Sequence, residues 1–233
     1  MQKLEYTFID NKIVHVLQVK PSSTDKLGFG YILQTYHFGI DQVLSGIFEN
    51  DFLACGNCKY SFNQNGGKSG KCYTHKGLIR LGLGKMLMRL GKIFHTINKF
   101  DLEQFNAFCT MAKKFNINLV RLGTYGDPIL LPAGIGKKLV SLGQRSTSYT
   151  HQWKNNEMHD ISMASVDSEK EKIEANKLGF RTFRILENVN EIKKDEIICP
   201  ASKESKKKIA CNLCGLCNGT SNKQIKNIAI VKH

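Results

Sequence analysis

The sequence predicts an α/β protein: a partial (β/α) barrel or small parallel sheet, with a β-rich N-terminal segment and cysteine-rich metal lobes. Three observations predict it. From Asn118 onward, short apolar runs alternate with helical runs, the pattern of right-handed parallel β-α units. Before Tyr36, β-branched apolar stretches are broken by turn residues. All but one of the eight cysteines fall in two groups at metal-ligand spacing.

Taken in order, residues 13–19 (IVHVLQV) and 31–36 (YILQTY) read as strands, separated by a break at 21–25 (PSSTD). His15 and His37 read as sheet residues, since neither has a paired ligand nearby. Val43, Leu44 and Ile47 suit a short helix over 41–48. Helical spacing of Leu87, Leu90, Ile93, Phe94 and Ile97 predicts a helix over 84–98, which puts Lys85, Arg89 and Lys92 on one stripe. That stripe suits a solvated face or a track of phosphate contacts. Asp101 caps the next helix, with Gln104 as capping partner and Cys109 inside its buried face. The α/β part then follows: a strand at 119–123, a helix over 133–142, strands at 146–150 and 161–166, a helix capped by Ser168 with Glu171, and a strand at 181–186. About four parallel strands are too few for an eight-fold barrel. The end, from Thr220 to His233, is polar and basic with an apolar stretch near 228–231, and suits an edge strand or a loose tail.

Composition bounds the function. Of 233 residues, 41% are hydrophobic, which suits a packed core, and no apolar run reaches membrane-spanning length. The start MQKLE lacks a secretory apolar region, so a cytoplasmic, reducing setting is expected, where cysteines serve as ligands more often than as disulfides. A net charge of +14 favours polyanionic partners, nucleic acid first.

The first cysteine group is Cys55-x2-Cys58-x13-Cys72-x2-His75, close to zinc-ribbon spacing, with His75 as candidate fourth ligand. Without His75, three thiolates leave a coordination position open, as catalytic centres do. The glycine-rich stretch at 66–70 between them is not a phosphate loop, because the first glycine of that motif would fall on Phe62. The second group is Cys199, Cys211, Cys214 and Cys217, the last three at C-x2-C-x2-C spacing; four thiolates close a zinc site or hold a 4Fe–4S cluster. Lys203, Lys206, Lys207 and Lys208 lie in the loop between Cys199 and Cys211, where they would ease the assembly of sulfur anions or contact phosphate.

In parallel α/β proteins, chemistry collects beyond the carboxyl ends of strands. Those ends carry Tyr125 and Asp127, then His151 and Trp153, then Asp167. Asp127 and His151 are the candidate catalytic residues. Asp127 before Pro128 also suits a turn, Asp167 a helix start, and Trp153 either stacking or packing.

The set formed by QTY at 34–36, CGNC at 55–58, CY at 72–73, RLGTYGDP at 121–128, YTHQW at 149–153, ASVD at 164–167, CPASK at 199–203 and the cysteine run to Gly219 resembles an uncharacterised family of phage and mobile-element proteins. The likeness covers most of the chain from about residue 30 and implies a viral or plasmid origin. A weaker analogy is to the radical-SAM enzymes, whose partial β/α barrel carries a three-cysteine cluster; their C-x3-C-x2-C motif is missing here. Cys55, Cys58 and Cys72 would be its counterpart, and S-adenosylmethionine the cofactor that analogy implies. The expected organisation is a β-rich segment at 1–50, a Cys/His metal lobe and basic helix at 51–100, a β/α scaffold at 101–198 and a cysteine-rich end at 199–233. The expected function is an iron–sulfur protein with redox or radical chemistry, on nucleic acid or a nucleotide. The alternative is a non-catalytic zinc protein that binds nucleic acid or a host protein.

Overall fold

The computed structural model describes residues 3–66, 72–155, 158–220 and 226–232. Most of the glycine-rich stretch at 66–70 therefore lies outside the described residues. The chain begins with a hairpin of β1 (Leu4–Asp10) and β2 (Ile13–Thr24), turned by Asn11 and Lys12 at φ +44° and +65°. Then come β3 (Gly28–Gly39), α1 (Ile40–Ser45), α2 (Phe52–Cys55), α3 (Gly77–Ile93), α4 (Leu102–Ala112) and β4 (Ile117–Tyr125). The second half holds α5 (Ile135–Val140), β5 (Gly143–Thr147), β6 (Tyr149–Thr150), β7 (Met163–Val166) and α6 (Glu169–Lys177). It ends with β8 (Thr182–Leu186), β9 (Glu196–Ile198), α7 (Cys211–Cys214) and β10 (Asn227–Val231).

The fold is α/β, as expected, with two five-stranded sheets. The first runs β1-β2-β3-β4-β5, antiparallel as far as β3 and parallel from β3 to β5. The second runs β6-β7-β8-β10-β9 and is parallel throughout. The strand expected at 146–150 is interrupted at Ser148, where the chain leaves one sheet for the other. Ser148 Oγ bonds Ser162 Oγ at 3.0 Å, so the joint is buried without a lost partner.

Three elements differ from expectation for physical reasons. The break expected at 21–25 is absent: β2 continues through Pro21, which pairs with Tyr31 beyond the end of β1, so one edge is open and the missing N–H costs nothing. The basic helix begins at Gly77 rather than Gly84, because Leu83, Leu87 and Leu90 together make its buried face. The C-terminal stretch is neither edge nor loose: β10 lies between β8 and β9, with Ile228 and Ala229 fully buried. The two caps behave as read, with Asp101 Oδ1 accepting from the Gln104 amide at 2.8 Å and Ser168 Oγ from the Glu171 amide at 3.2 Å.

Alternation along the strands gives the first sheet two different faces. One carries Leu17, Val19, Leu33, Val120 and Leu122 against α4 and α5, and takes in Cys109. The other carries Val14, Val16, Tyr36, Phe38 and Tyr125 against Leu83, Leu87 and Leu90 of α3. The stretch 1–50 thus shares one core with 101–198 and another with both 51–100 and 101–198, while Trp153, Ala164, Val166, Ala175 and Phe180 make a further core within 101–198.

Candidate metal centres

The first cysteine group sits beyond the carboxyl ends of the parallel strands. After β3, the chain folds back through α2, and the Ala54 carbonyl accepts from the Asp127 amide just after β4 at 2.8 Å. That approach requires Gly126, at φ +77°: a Cβ there would lie 2.6 Å from the His37 carbonyl. Gln152 reaches the Cys55 carbonyl at 3.5 Å, and Tyr60 and Lys59 hold the two oxygens of Asp167 after β7 at 2.9 and 3.1 Å. The Cys55–Cys58 turn is thereby fastened to the ends of β4, β6 and β7.

At this junction Cys58 Sγ stands 3.7 Å from His151 Nε2. Cys55, Cys58 and Cys72 lie in one another's fields. Burial, then the charges of Asp51, Cys58 and Cys72, pushes the Cys55 thiol well up, and burial pushes Cys58 up to about 12. Cys72 is also raised by burial, with its Sγ 3.0 Å from Thr74 Oγ1. Buried thiols that raise one another in this way become thiolates together only when a cation joins them.

The His75 ring stacks on Phe62 at 3.8 Å, its Nε2 lies 3.9 Å from Asp51 Oδ2, and its Nδ1 has no hydrogen-bond partner among the described residues. The histidine brought to a cysteine is His151, from almost a hundred residues away, a pairing no local spacing could reveal. The Asp127 carboxylate accepts from the Ile129 amide at 3.1 Å and the His151 amide at 2.8 Å, so it fixes the backbone on both sides of the junction, and it lies in the field of the His151 ring. Tyr125 is core, its hydroxyl bonded to Gln42 at 2.8 Å, and Trp153 packs with Ala164, Val166, Ala175 and Phe180.

The second group gathers four cysteines from two segments. Cys199 follows β9 and packs with Cys217, Met163 and Ile228. The Cys217 carbonyl accepts from the Ser148 amide, and the Cys211 amide donates to the Lys26 carbonyl before β3. Cys217 is pushed up to about 12 by burial, then by Cys199, Cys211 and Cys214, with a hydrogen bond from Tyr149 opposing. Cys199 and Cys211 are raised by burial and lowered by Lys26, and Cys211 also by Arg121. Lys203, Lys206, Lys207 and Lys208, in the loop between Cys199 and Cys211, are exposed.

None of the eight cysteines is in a disulfide. Among the described residues, no three His, Cys, Asp or Glu side chains are arranged to hold a metal ion as they stand. The donor sets fit a metal by chemistry: they are free, soft ligands, half-buried or buried, drawn from distant segments. On the basic helix, Lys85 and Lys92 are exposed, whereas Arg89 is tied to Glu5 at 2.5 Å. Among the described residues, no helix is long and apolar enough to cross a membrane. Comparison with protein-family models, curated proteins and solved structures finds no match to this chain.

Proposed function

We propose that the chain is a cytoplasmic iron–sulfur protein of phage or plasmid origin that carries out redox or radical-type chemistry, with nucleic acid or a nucleotide as substrate class. The observation that carries this reading is the meeting of the Cys55, Cys58 and Cys72 segment with His151 beyond the carboxyl ends of β3, β4 and β6, where α/β proteins do chemistry. Cys199, Cys211, Cys214 and Cys217 would hold a closed centre, and Cys55, Cys58 and Cys72 a second, open one. Such a centre supplies one-electron chemistry when bound. The chain's own contribution is positional. Asp127 fixes the His151 backbone, and Asp167 anchors the Cys58 loop through Lys59 and Tyr60. Nothing in this reading requires S-adenosylmethionine.

One distance favours a second reading for the first centre. Bonds of about 2.3 Å to sulfur and about 2.05 Å to nitrogen at a tetrahedral angle separate the two donors by about 3.6 Å. Cys58 Sγ and His151 Nε2 are 3.7 Å apart. Ligands of a cubane bind separate irons and stand farther apart. A Cys3His zinc site with His151 as fourth ligand therefore suits this pair, and would make the protein a non-catalytic binder of nucleic acid or a host protein.

Anaerobic purification with iron, sulfide and zinc counted per chain tests both. Iron with matching sulfide, visible absorption and an EPR signal on reduction supports the first reading; a colourless zinc protein overturns it. His151→Ala should lower the metal count while His75→Ala leaves it unchanged. Equal metal in both variants removes His151 from the ligand set.

A further inference from the structure

The register of the first sheet places one polar row across all five strands. Glu5 pairs with Gln18, Gln18 with Gln34, Gln34 with Arg121 and Arg121 with Thr147. Partners in register share a face, so these five side chains lie side by side, and Gln18, Gln34 and Thr147 are buried. The row continues into Lys20 and Tyr36: Lys20 Nζ lies 3.4 Å from the Tyr36 hydroxyl, which donates to Gln34 Oε1 at 2.9 Å.

The acidic end of the row is already satisfied. Glu5 accepts from Gln18 at 2.9 Å and pairs with Arg89 and Lys3. The basic end is not. Among the described residues, neither Lys20 nor Arg121 has a carboxylate within ion-pair distance. Arg121 donates to the Tyr73 hydroxyl at 2.7 Å, with its guanidinium 5.6 Å from that ring's centroid. Burial, then the like charges of Lys3 and Arg121, lowers the Lys20 pKa. Among the described residues, these two half-buried cations on one sheet face have no carboxylate partner, and Tyr73, Tyr149, Tyr36 and Cys211 are the groups whose charge favours that of Arg121. Tyr73, at the edge of the row, is 50% exposed, and Lys20 and Arg121 are half-buried.

Arg121 also stands between the cysteine groups. It bonds Tyr73, the neighbour of Cys72, and its charge reaches Cys211. Tyr149, bonded to Cys217, lies in the same field.

We propose that Arg121 and Lys20 bind the oxyanion of a small ligand, a carboxylate or phosphate, on this face between the two cysteine groups. The guanidinium supplies a planar fork that takes two oxygens at once, Lys20 a point charge, and Tyr36 and Tyr73 hydroxyls that bound the site. This deepens the proposed function by naming the chemistry its substrate carries, and rests on that reading for what lies on either side, not for the binding itself.

The test titrates the intact, anaerobically purified protein with inorganic phosphate and separately with succinate, each against chloride at matched ionic strength, and reads the arginine side-chain NMR signals and the melting temperature. A saturable response to either anion is expected, and the anion that gives it names the class. Arg121→Gln should weaken it about tenfold or more, Lys20→Gln less, and the exposed Lys170→Gln not at all. A response that follows ionic strength alone, or is unchanged in both Arg121→Gln and Lys20→Gln, overturns the proposal. If Arg121→Gln loses its native circular dichroism, Lys20→Gln and Arg121→Lys decide by the same criterion. Metal counts on the same samples keep the two ideas apart. Anion binding by a chain without metal leaves this site standing and the metal centres fallen, whereas a metal-loaded chain indifferent to both anions removes only this site.

Discussion

Acid should unfold this protein through two buried histidines. His15 and His37 are both fully buried, with their Nδ1 atoms 2.9 Å apart and His37 Nε2 3.0 Å from Thr35 Oγ1. Burial holds His15 at about 3, and burial together with the His15 charge holds His37 well below the usual range. In the unfolded chain both titrate near about 6.5, so between those values the unfolded state binds more protons. Their contribution is present in full above about pH 6.5 and is lost as pH falls toward the folded values. The slope is about 1.4 kcal/mol per pH unit for each histidine, or about 5 kcal/mol for the pair by pH 4.5, against a total of roughly 5–15 kcal/mol for a domain. Asp51 and Asp127 are raised by burial and act in the opposite sense, so the informative quantity is a difference between variants. Urea unfolding of the protein and of His15→Asn at pH 7.5, 6.5, 5.5 and 4.5 measures it. The wild-type curve should fall more steeply below about pH 6.5, by about 1.4 kcal/mol per unit. Parallel curves would refute the argument.

Three further outcomes are expected. Arg184 grips Glu196 with two contacts of 2.6 Å, and both side chains are nearly inaccessible, so Arg184→Ala should cost about 3–5 kcal/mol in urea unfolding, while the double replacement Arg184→Met with Glu196→Leu should cost far less. If nucleic acid is the partner, log affinity should fall linearly with log salt, and replacing Lys206, Lys207 and Lys208 should flatten the slope by about one unit per lysine; Arg89→Gln should change it less, because Glu5 already neutralises that charge. Ending the chain at Lys226 removes β10 from between β8 and β9 and should yield insoluble protein, and full solubility of the shortened chain would refute its central place.

Much of the fold was legible because its elements announce themselves locally. Asp101 with Gln104 and Ser168 with Glu171 mark helix starts by side chains that reach three residues along, and β4, β7 and β8 are short apolar runs with turn residues around them. The spacing of Cys55, Cys58 and Cys72 is legible in the same way, and the fold sets these three in one another's fields. What stayed hidden depends on partners distant in sequence. Pro21 reads as a break until β1 is seen to end short of it. The basic tail conceals a central strand because only β8 and β9 on its two sides give residues 228–229 something to bury against. His75 is near Cys72 in sequence and turned to Asp51 in space; His151 is remote in sequence and beside Cys58 in space.

A polar row through a sheet is an expensive way to build a core. Burying Gln18 and Gln34 takes amides out of water, and apolar residues of the same size would pack there with no such cost. The opposite face of the same strands does this, with Leu17, Leu33, Val120 and Leu122. The two faces obey the same hydrogen-bond ladder and differ only in what they meet. Both meet helices, α4 and α5 on one side and α3 on the other, but the polar face also meets, from opposite ends, the segment of Cys72 and the helix of Cys211, with Arg121 between them. If the cysteines only pinned loops to a scaffold, an apolar floor would serve both pins better, and a guanidinium without a carboxylate would be a defect. A site for an anion between the two sulfur groups gives the row, its cations without a carboxylate partner among the described residues, and the exposed Tyr73 at its edge one common cause.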